Sequence, residues 1–449
     1  MKQGLKKERI IEDKSQLTEF FKSGCRPQEE FKIGLEFEKL AVNSYNYKAV
    51  PYSGQNGIRD FLGRYKSLTQ TENILDDDNL IGLAGFSGNI SLEPGSQMEI
   101  STIPCKKISE LASIIQEYNF KTAIIGEELG IDWIGYGVQP VSTFESIELI
   151  PKKRYEIMTE YLPTRGNKAL VMMRETAGIQ VNIDYESEHD AMEKFRAFLA
   201  ISPVITAMFA NSPIRGGKET GYKSYRALSW LDTDNDRCGF INNKIFKGEF
   251  SFDDYAEYLL DVPMFFIERY SRIIKATHLT FRKFLDEGLD GYRANLNDWA
   301  IHISTVFPEV RLKNHIEIRN CDSQKCDLIL AMPTLIKGIM HNKESLEQVL
   351  ELMKDFSLPE LEEMRQKVPK SALETVIKGV KVADLAKELV NIAEYALLSD
   401  PKIADEAIYL EKLKELVEQE INPADIILQN WNSGWDKDVK KLIEYSKLN

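Results

Sequence analysis

Four stretches of the chain alternate between apolar and polar residues with period two. That alternation is the signature of strands with one face in a core and the other turned elsewhere. In the first, Ile33, Leu35 and Phe37 share one parity, and Gly34, Glu36 and Glu38 the other. In the second, Ile90, Leu92, Met98 and Ile100 oppose Ser91, Glu93, Gln97, Glu99 and Ser101, and Pro94-Gly95 predicts a bulge or kink between its halves. In the third, Ile179, Val181 and Ile183 oppose Gln180, Asn182 and Asp184. In the fourth, Ile316 and Ile318 oppose His315, Glu317 and Arg319. The glycine-bearing segment Gly85-Phe86-Ser87-Gly88 predicts a hairpin leading into the second stretch.

Elsewhere the apolar spacing shifts to three and four, as in helices. Helices are predicted over 7–24, 106–128, 154–161, 187–210, 252–288 with a break at Val262-Pro263, and 297–307. Ser187 is the expected N-cap of its helix. Residues 131–138 read as a further strand, and 163–177 and 211–247 as loops. From about residue 328 to the end the pattern is almost wholly helical. The expected fold class is α+β: one antiparallel sheet covered by helices, with a helical C-terminal layer. The expected division is a catalytic sheet-and-helix domain over 1–327 and a helical region over 328–449, packed on it or continuous with it.

Composition narrows the functional classes. The 449 residues carry Lys+Arg 57 against Asp+Glu 70, a net charge of −13, without a basic cluster. Such a chain is a poor partner for nucleic acid or an anionic membrane. No apolar run is long enough to span a bilayer, and the N-terminus lacks the apolar stretch of a secretion signal. The five cysteines lack CxxC spacing, which with the missing leader gives a cytoplasmic expectation.

The candidate chemistry lies on the polar parities. In one sheet they place Glu36, Glu38, Glu93, Glu99 and Glu317 on a common face beside Gln97, Gln180, Asn182 and Arg319. Carboxylates so close repel one another, and divalent cations relieve that repulsion. Oxygen-only donors point to a hard ion, magnesium or manganese, and magnesium in a protein cleft commonly accompanies a nucleotide triphosphate. Arg165, Arg174, Arg226 and Arg319 are candidates for binding a substrate carboxylate or a transferring phosphate, because a guanidinium offers a planar bidentate fork. There is no P-loop, kinase or G-x-S-x-G motif. Asp232-Thr-Asp234-Asn-Asp236 is not a calcium loop, since Arg237 and Asn243 stand where glycine and glutamate are needed.

With these residues in place, the chain resembles glutamate–cysteine ligases of the plant and proteobacterial type, among the glutamine-synthetase-like carboxylate–amine ligases. The segments that carry the resemblance are Gly34-Leu-Glu-Phe-Glu-Lys39, Ile90-Ser-Leu-Glu-Pro-Gly-Ser-Gln-Met-Glu99, Asn211-Ser-Pro213, Trp230-Leu-Asp-Thr-Asp-Asn-Asp-Arg237, Leu260-Asp-Val-Pro-Met-Phe-Phe266, Phe307-Pro-Glu-Val-Arg-Leu-Lys313 with Glu317-Ile-Arg319, and Trp431-Asn-Ser-Gly-Trp435. The resemblance implies a curved antiparallel sheet with metal-bound ATP over it. It implies ligation of the glutamate γ-carboxylate to the cysteine amine through an acyl phosphate. It implies Glu36, Glu38, Glu93, Glu99 and Glu317 as metal ligands. Arg226 and Arg319 match arginines at the substrate and phosphate site, and Gln180 a position facing the cleft. Two departures flank the cleft: Ser96 stands where the family usually has glycine, and Asn320-Cys321-Asp322 follows the arginine.

The expected partners are therefore glutamate, cysteine and ATP, with no nucleic acid and no membrane, in a monomer or homodimer. Two alternatives stay open: a ligase of this chemistry with another amino-acid acceptor, and a catalytically silent relative that binds glutamate or nucleotide.

Overall fold

The structure is a computed structural model that describes residues 9–270 and 272–448. Among the described residues, nine strands form the main sheet: β1 (Ile33–Asn43), β2 (Glu72–Asp76), β3 (Asn79–Ala84), β4 (Gly88–Leu92), β5 (Met98–Thr102), β6 (Ile131–Ile134), β7 (Gly178–Ile183), β8 (Val310–Leu312) and β9 (Ile316–Asp322). Their order is β8-β9-β7-β1-β5-β4-β3-β2, with β6 paired to the far half of β1. Every pairing in this sheet is antiparallel. The fold class is as the sequence predicts.

The four alternating stretches lie side by side in the sheet or at its centre. Their apolar parities are buried: Leu35, Phe37, Leu92, Met98, Ile179, Val181, Ile316 and Ile318 are all at most 1% exposed. The Ile108–Leu129 and Glu188–Met208 helices cover the sheet, and Ser187 caps the latter by accepting from the Asp190 N–H at 3.2 Å. The helix Ala331–Met340 packs on β1 and β7.

Several local expectations are corrected. The second stretch is two strands and a turn: β4 and β5 pair with each other, Ile90 opposite Ile100 and Leu92 opposite Met98. Pro94-Gly95 therefore reverses the chain, where a bulge was expected. Gly95 sits against the backbone carbonyl of Arg174, and a Cβ there would come within 2.1 Å of that oxygen. The first helix is shorter than predicted, Ser15–Lys22, and residues 7 and 8 of the prediction lie outside the described residues. The stretch 163–177 contains a helix, Ala169–Glu175, and 211–247 contains another, Tyr225–Leu231. The predicted helix 252–288 is two helices, Phe252–Asp261 and Phe281–Glu287, separated by an antiparallel pair, Phe266–Arg269 with Arg272–Lys275. A dense apolar run fits either periodicity, and the β-branched Ile273 and Ile274 favour the strand.

Candidate active site

The polar face of the sheet is the floor of a cavity of about 300 Å³. Register sets its carboxylates. Glu38 on β1 stands directly opposite Glu99 on β5, and Ser91 on β4 lies opposite Glu99 on the other side. Glu36, two residues along β1, lies opposite Gln180 on β7. Glu93 enters from the β4–β5 turn. All four glutamates line the cavity with Gln180, Arg226 and Arg319.

Like charges facing each other across paired strands are destabilising unless something answers them. Within the protein the answer is partial. Ser91 and Ser101 donate to Glu99 Oε1 at 3.1 and 3.0 Å. Glu38 accepts from the Gly178 N–H at 2.5 Å and the Gln180 amide at 3.2 Å, and Glu36 from the Asn182 amide at 2.8 Å. Burial, helped by the Glu93 charge, still pushes Glu38 up to about 7. Burial, with the charges of Glu36, Glu93 and Glu38, raises Glu99 well above the ordinary carboxylate range. The face thus gathers four carboxylates, two of them pushed toward the neutral form by burial and by one another, as hard oxygen donors. A divalent hard cation fits them in donor type and would relieve their mutual repulsion. They are not a preformed shell: among the described residues, no group of three or more His, Cys, Asp or Glu side chains is drawn together around a metal position.

Glu317 is placed differently. It is fully buried and does not line the cavity. Arg311 engages it with Nη2 at 2.6 Å from Oε1, and Lys313 and Arg319 also pair with it. Burial alone would raise its carboxyl, but Arg311, Lys313 and Arg319 beside it hold it well below the usual range. Arg319 in turn donates to Gln180 Oε1, so these side chains form one continuous network under the cavity wall.

Arg226 is positioned by a buried polar knot. Ser224 caps the Tyr225–Leu231 helix and donates to Asp322 Oδ1 at 2.9 Å. Ser212 donates to Asp322 Oδ2 at 2.7 Å and accepts from the Arg226 N–H at 3.2 Å. The guanidinium donates to the Arg319 carbonyl at 3.2 Å. Gly178 leaves room for it, since a Cβ there would fall 2.4 Å from Nη2.

The other two predicted arginines are not brought to this cavity. Arg165 is exposed and pairs with Asp236 and, at 3.7 Å, with Asp234. Arg174 donates to the Phe144 and Ile147 carbonyls at 3.3 and 3.5 Å, bracing a loop. Residues that the sequence reading missed take their place: Lys152, Arg154 and Tyr155, at the start of the Lys153–Tyr161 helix, and Arg311. The Tyr155 hydroxyl donates to Glu93 at 3.3 Å. The basic run Lys152-Lys-Arg154 was the available signal, but nothing local says which way it faces.

The family model described as glutamate–cysteine ligase family 2 matches residues 32–444. The chain belongs to glutamate–cysteine ligase family 2. It is 35% identical over 434 residues to glutamate–cysteine ligase A, chloroplastic, of Oryza sativa subsp. japonica, covering 96% of this chain and 87% of the relative. The chloroplastic glutamate–cysteine ligase of Arabidopsis thaliana is 35% identical over 431 residues, covering 95% and 81%. The crystal structure of the Francisella tularensis glutamate–cysteine ligase in complex with AMP superposes with a TM-score of 0.52 at 13% identity, over 92% of this chain and 86% of that one, which shows a shared fold.

These family relatives correct the expected location. Both plant enzymes are named as chloroplastic, so a cytoplasmic reading drawn from a missing secretion signal does not stand. An apolar leader marks one kind of address and says nothing of an organelle.

Proposed function

We propose that this protein joins the γ-carboxylate of L-glutamate to the amine of L-cysteine at the expense of ATP, giving γ-glutamylcysteine, ADP and phosphate, the first step of glutathione synthesis. The carrying observation is the Glu38–Glu99 pair, facing across β1 and β5 in the same cavity as Arg226 and Arg319, in a chain of this family. In this reading Glu36, Glu38, Glu93 and Glu99 would hold magnesium or manganese, while Glu317, which does not line the cavity, acts by anchoring Arg319. The metal would supply positive charge to neutralise the ATP phosphates.

The chain's own groups do the rest by position and charge. Arg319, anchored on Glu317 and Gln180, presents a guanidinium to the transferring phosphoryl group and the γ-carboxylate it activates. Arg226, held by the Asp322 knot, binds the glutamate side of the cleft. Gln180 orients Glu38 and Arg319 together.

The test is phosphate release from ATP with glutamate and cysteine, with each alone, and with other amino acids replacing cysteine. Release that needs both glutamate and cysteine supports the proposal. Release with a different acceptor and not with cysteine would move the protein to a related ligase. Absence of release with every pair would leave a silent binding protein. Activity is expected to disappear in excess EDTA and to return with magnesium, and full turnover in EDTA would remove the metal from the reading.

A further inference from the structure

One wall of the cavity is fixed from the far edge of the sheet. Lys152, Arg154 and Tyr155 line that wall, in the first turn of the helix Lys153–Tyr161 and at its N-cap. A helix leaves its first N–H groups without intrahelical partners, and the N-cap side chain ordinarily accepts from one of them. Here the N-cap is Lys152, whose ammonium can only donate, and its side chain caps nothing. The acceptor comes instead from a distant part of the chain: Asp76 Oδ2 accepts from the Lys153 N–H at 2.9 Å.

Among the described residues, Asp76 ends β2, the edge strand that pairs with β3 alone. None of the five residues of β2 is buried, and Leu75 is 52% exposed. What β2 delivers at its end is polar: a carboxylate at a helix N-terminus, where negative charge is favoured. On its other side the same helix start is tied to the carboxylate face. The Ile150 N–H donates to the Pro94 carbonyl at 3.0 Å, and the Tyr155 hydroxyl donates to Glu93 at 3.3 Å. Lys152 Nζ lies 4.7 Å from the centre of the Tyr155 ring, and the Arg154 guanidinium lies 5.8 Å from it. The three cavity-lining side chains thus move with one helical turn, held between the β4–β5 turn and Asp76.

We propose that Asp76 is a positioning residue for the reaction: by capping the helix Lys153–Tyr161 from the sheet edge, it holds Lys152, Arg154 and Tyr155 at the cavity and Tyr155 on Glu93. Asp76 does not itself line the cavity, so its influence passes through the helix. Losing an N-cap acceptor lets the first turn open about fivefold more often. A displacement of about 1 Å in a positioning group can cost about a hundredfold in rate. The kinetic effect is therefore expected to match or exceed the effect on the helix itself. The kinetic part of this inference rests on the ligase reading above, and the structural part does not.

Two variants separate the acceptor from the rest of the residue. Asp76→Asn keeps a side-chain oxygen and is an equally good cap, whereas Asp76→Ala removes it. Asp76→Ala is expected to speed amide hydrogen exchange over residues 153–156 about fivefold, with exchange in β7 unchanged. It should also lower kcat/KM for glutamate at least about fivefold. Asp76→Asn should stay within about twofold of wild type in both measurements. Faster exchange with unchanged kcat/KM would overturn the proposal, since a merely structural cap predicts it. Unchanged exchange over 153–156, a speeding spread evenly over the molecule, or equal losses in Asp76→Ala and Asp76→Asn would overturn it as well. If Asp76→Ala does not fold, Asp76→Leu, similar in size and without an acceptor, takes its place. If the wild type shows no glutamate-dependent ADP formation, the ligase reading fails, and exchange over 153–156 in the variants still decides whether Asp76 holds the cavity wall.

Discussion

Glu38 and Glu99 face one another across β1 and β5, and the cost of that pairing is measurable in protein stripped of metal by EDTA. Glu38, pushed up to about 7, stays protonated in the folded chain where it would ionise in the unfolded one. Its contribution to stability is therefore fully present below the ordinary glutamate pKa and is lost as pH rises through about 7. Melts in EDTA should show a Tm that falls across this window, with a shallower fall in Glu38→Gln. An identical slope in the two proteins would mean that Glu38 ionises normally. Glu93 and Glu99 belong to the same cluster, so their losses should not add. Glu93→Gln and Glu99→Gln should each lower kcat by more than about a hundredfold, and the double variant should be scarcely worse than the more damaging single. Independent, multiplying effects would separate the two residues. Arg226→Lys keeps the charge and loses the fork. It should raise the glutamate KM or lower kcat about tenfold to a hundredfold while changing the ATP KM far less. Equal effects on both substrates would take Arg226 off the glutamate side.

At the scale of elements, the site depends on one turn. The Glu93 N–H donates to the Gln97 carbonyl at 2.9 Å, and the Gln97 side chain accepts from the Gly95 N–H at 2.7 Å. The Gln97 amide donates to the Met173 and Thr176 carbonyls at 3.1 and 2.8 Å, so the turn is tied to the end of the Ala169–Glu175 helix. Ser96 holds a left-handed φ of 67°, a conformation that glycine adopts without strain. Gly95→Ala should force the turn off that helix, cost about 1–3 kcal/mol and displace Glu93, which lowers kcat as well as Tm. An unchanged kcat with a lowered Tm would mean that the turn is structural only. The strands of this site were legible because alternation over β1, β4, β5, β7 and β9 sorts carboxylates from core residues without any tertiary information. Arg319 was legible because motif and parity agreed on it, and Arg226 only through the family resemblance, since it stands in a stretch read as loop. Arg165 and Arg174 were misplaced because a loop arginine carries no period, and its partners, Asp236 for one and the Phe144 and Ile147 carbonyls for the other, are set by chain packing.

Across the whole molecule, the core does not divide where the sequence pattern changes at residue 328. One continuous apolar cluster runs from Ile11 to Leu448 and takes in both segments. The helix Ala331–Met340 is buried on nearly every side: Ala331, Met332, Leu335, Ile336 and Ile339 are all fully buried, and it packs on β1 and β7 beneath the carboxylate face. A helix apolar all round belongs to an interior and cannot serve as an outer layer. Fully burying a large apolar side chain is worth about 1.5–3 kcal/mol, so Met332, Leu335, Ile336 and Ile339 together rival the total of about 5–15 kcal/mol by which a typical protein is stable. We propose on this ground that 1–327 and 328–449 fold as one unit. The fragment 1–327 should then give no cooperative melt and no fixed near-ultraviolet circular dichroism, and magnesium with ATP should not restore either. The milder variant Ile336→Ala, which opens a cavity below β1 and β7, should cost about 2–5 kcal/mol in the full chain. Its glutamate and ATP KM values should stay near wild type, because the register of β1 against β5 and β7 is held by backbone pairing. A fragment 1–327 that melts cooperatively would show a self-sufficient catalytic domain and return the C-terminal helices to the role of a covering layer.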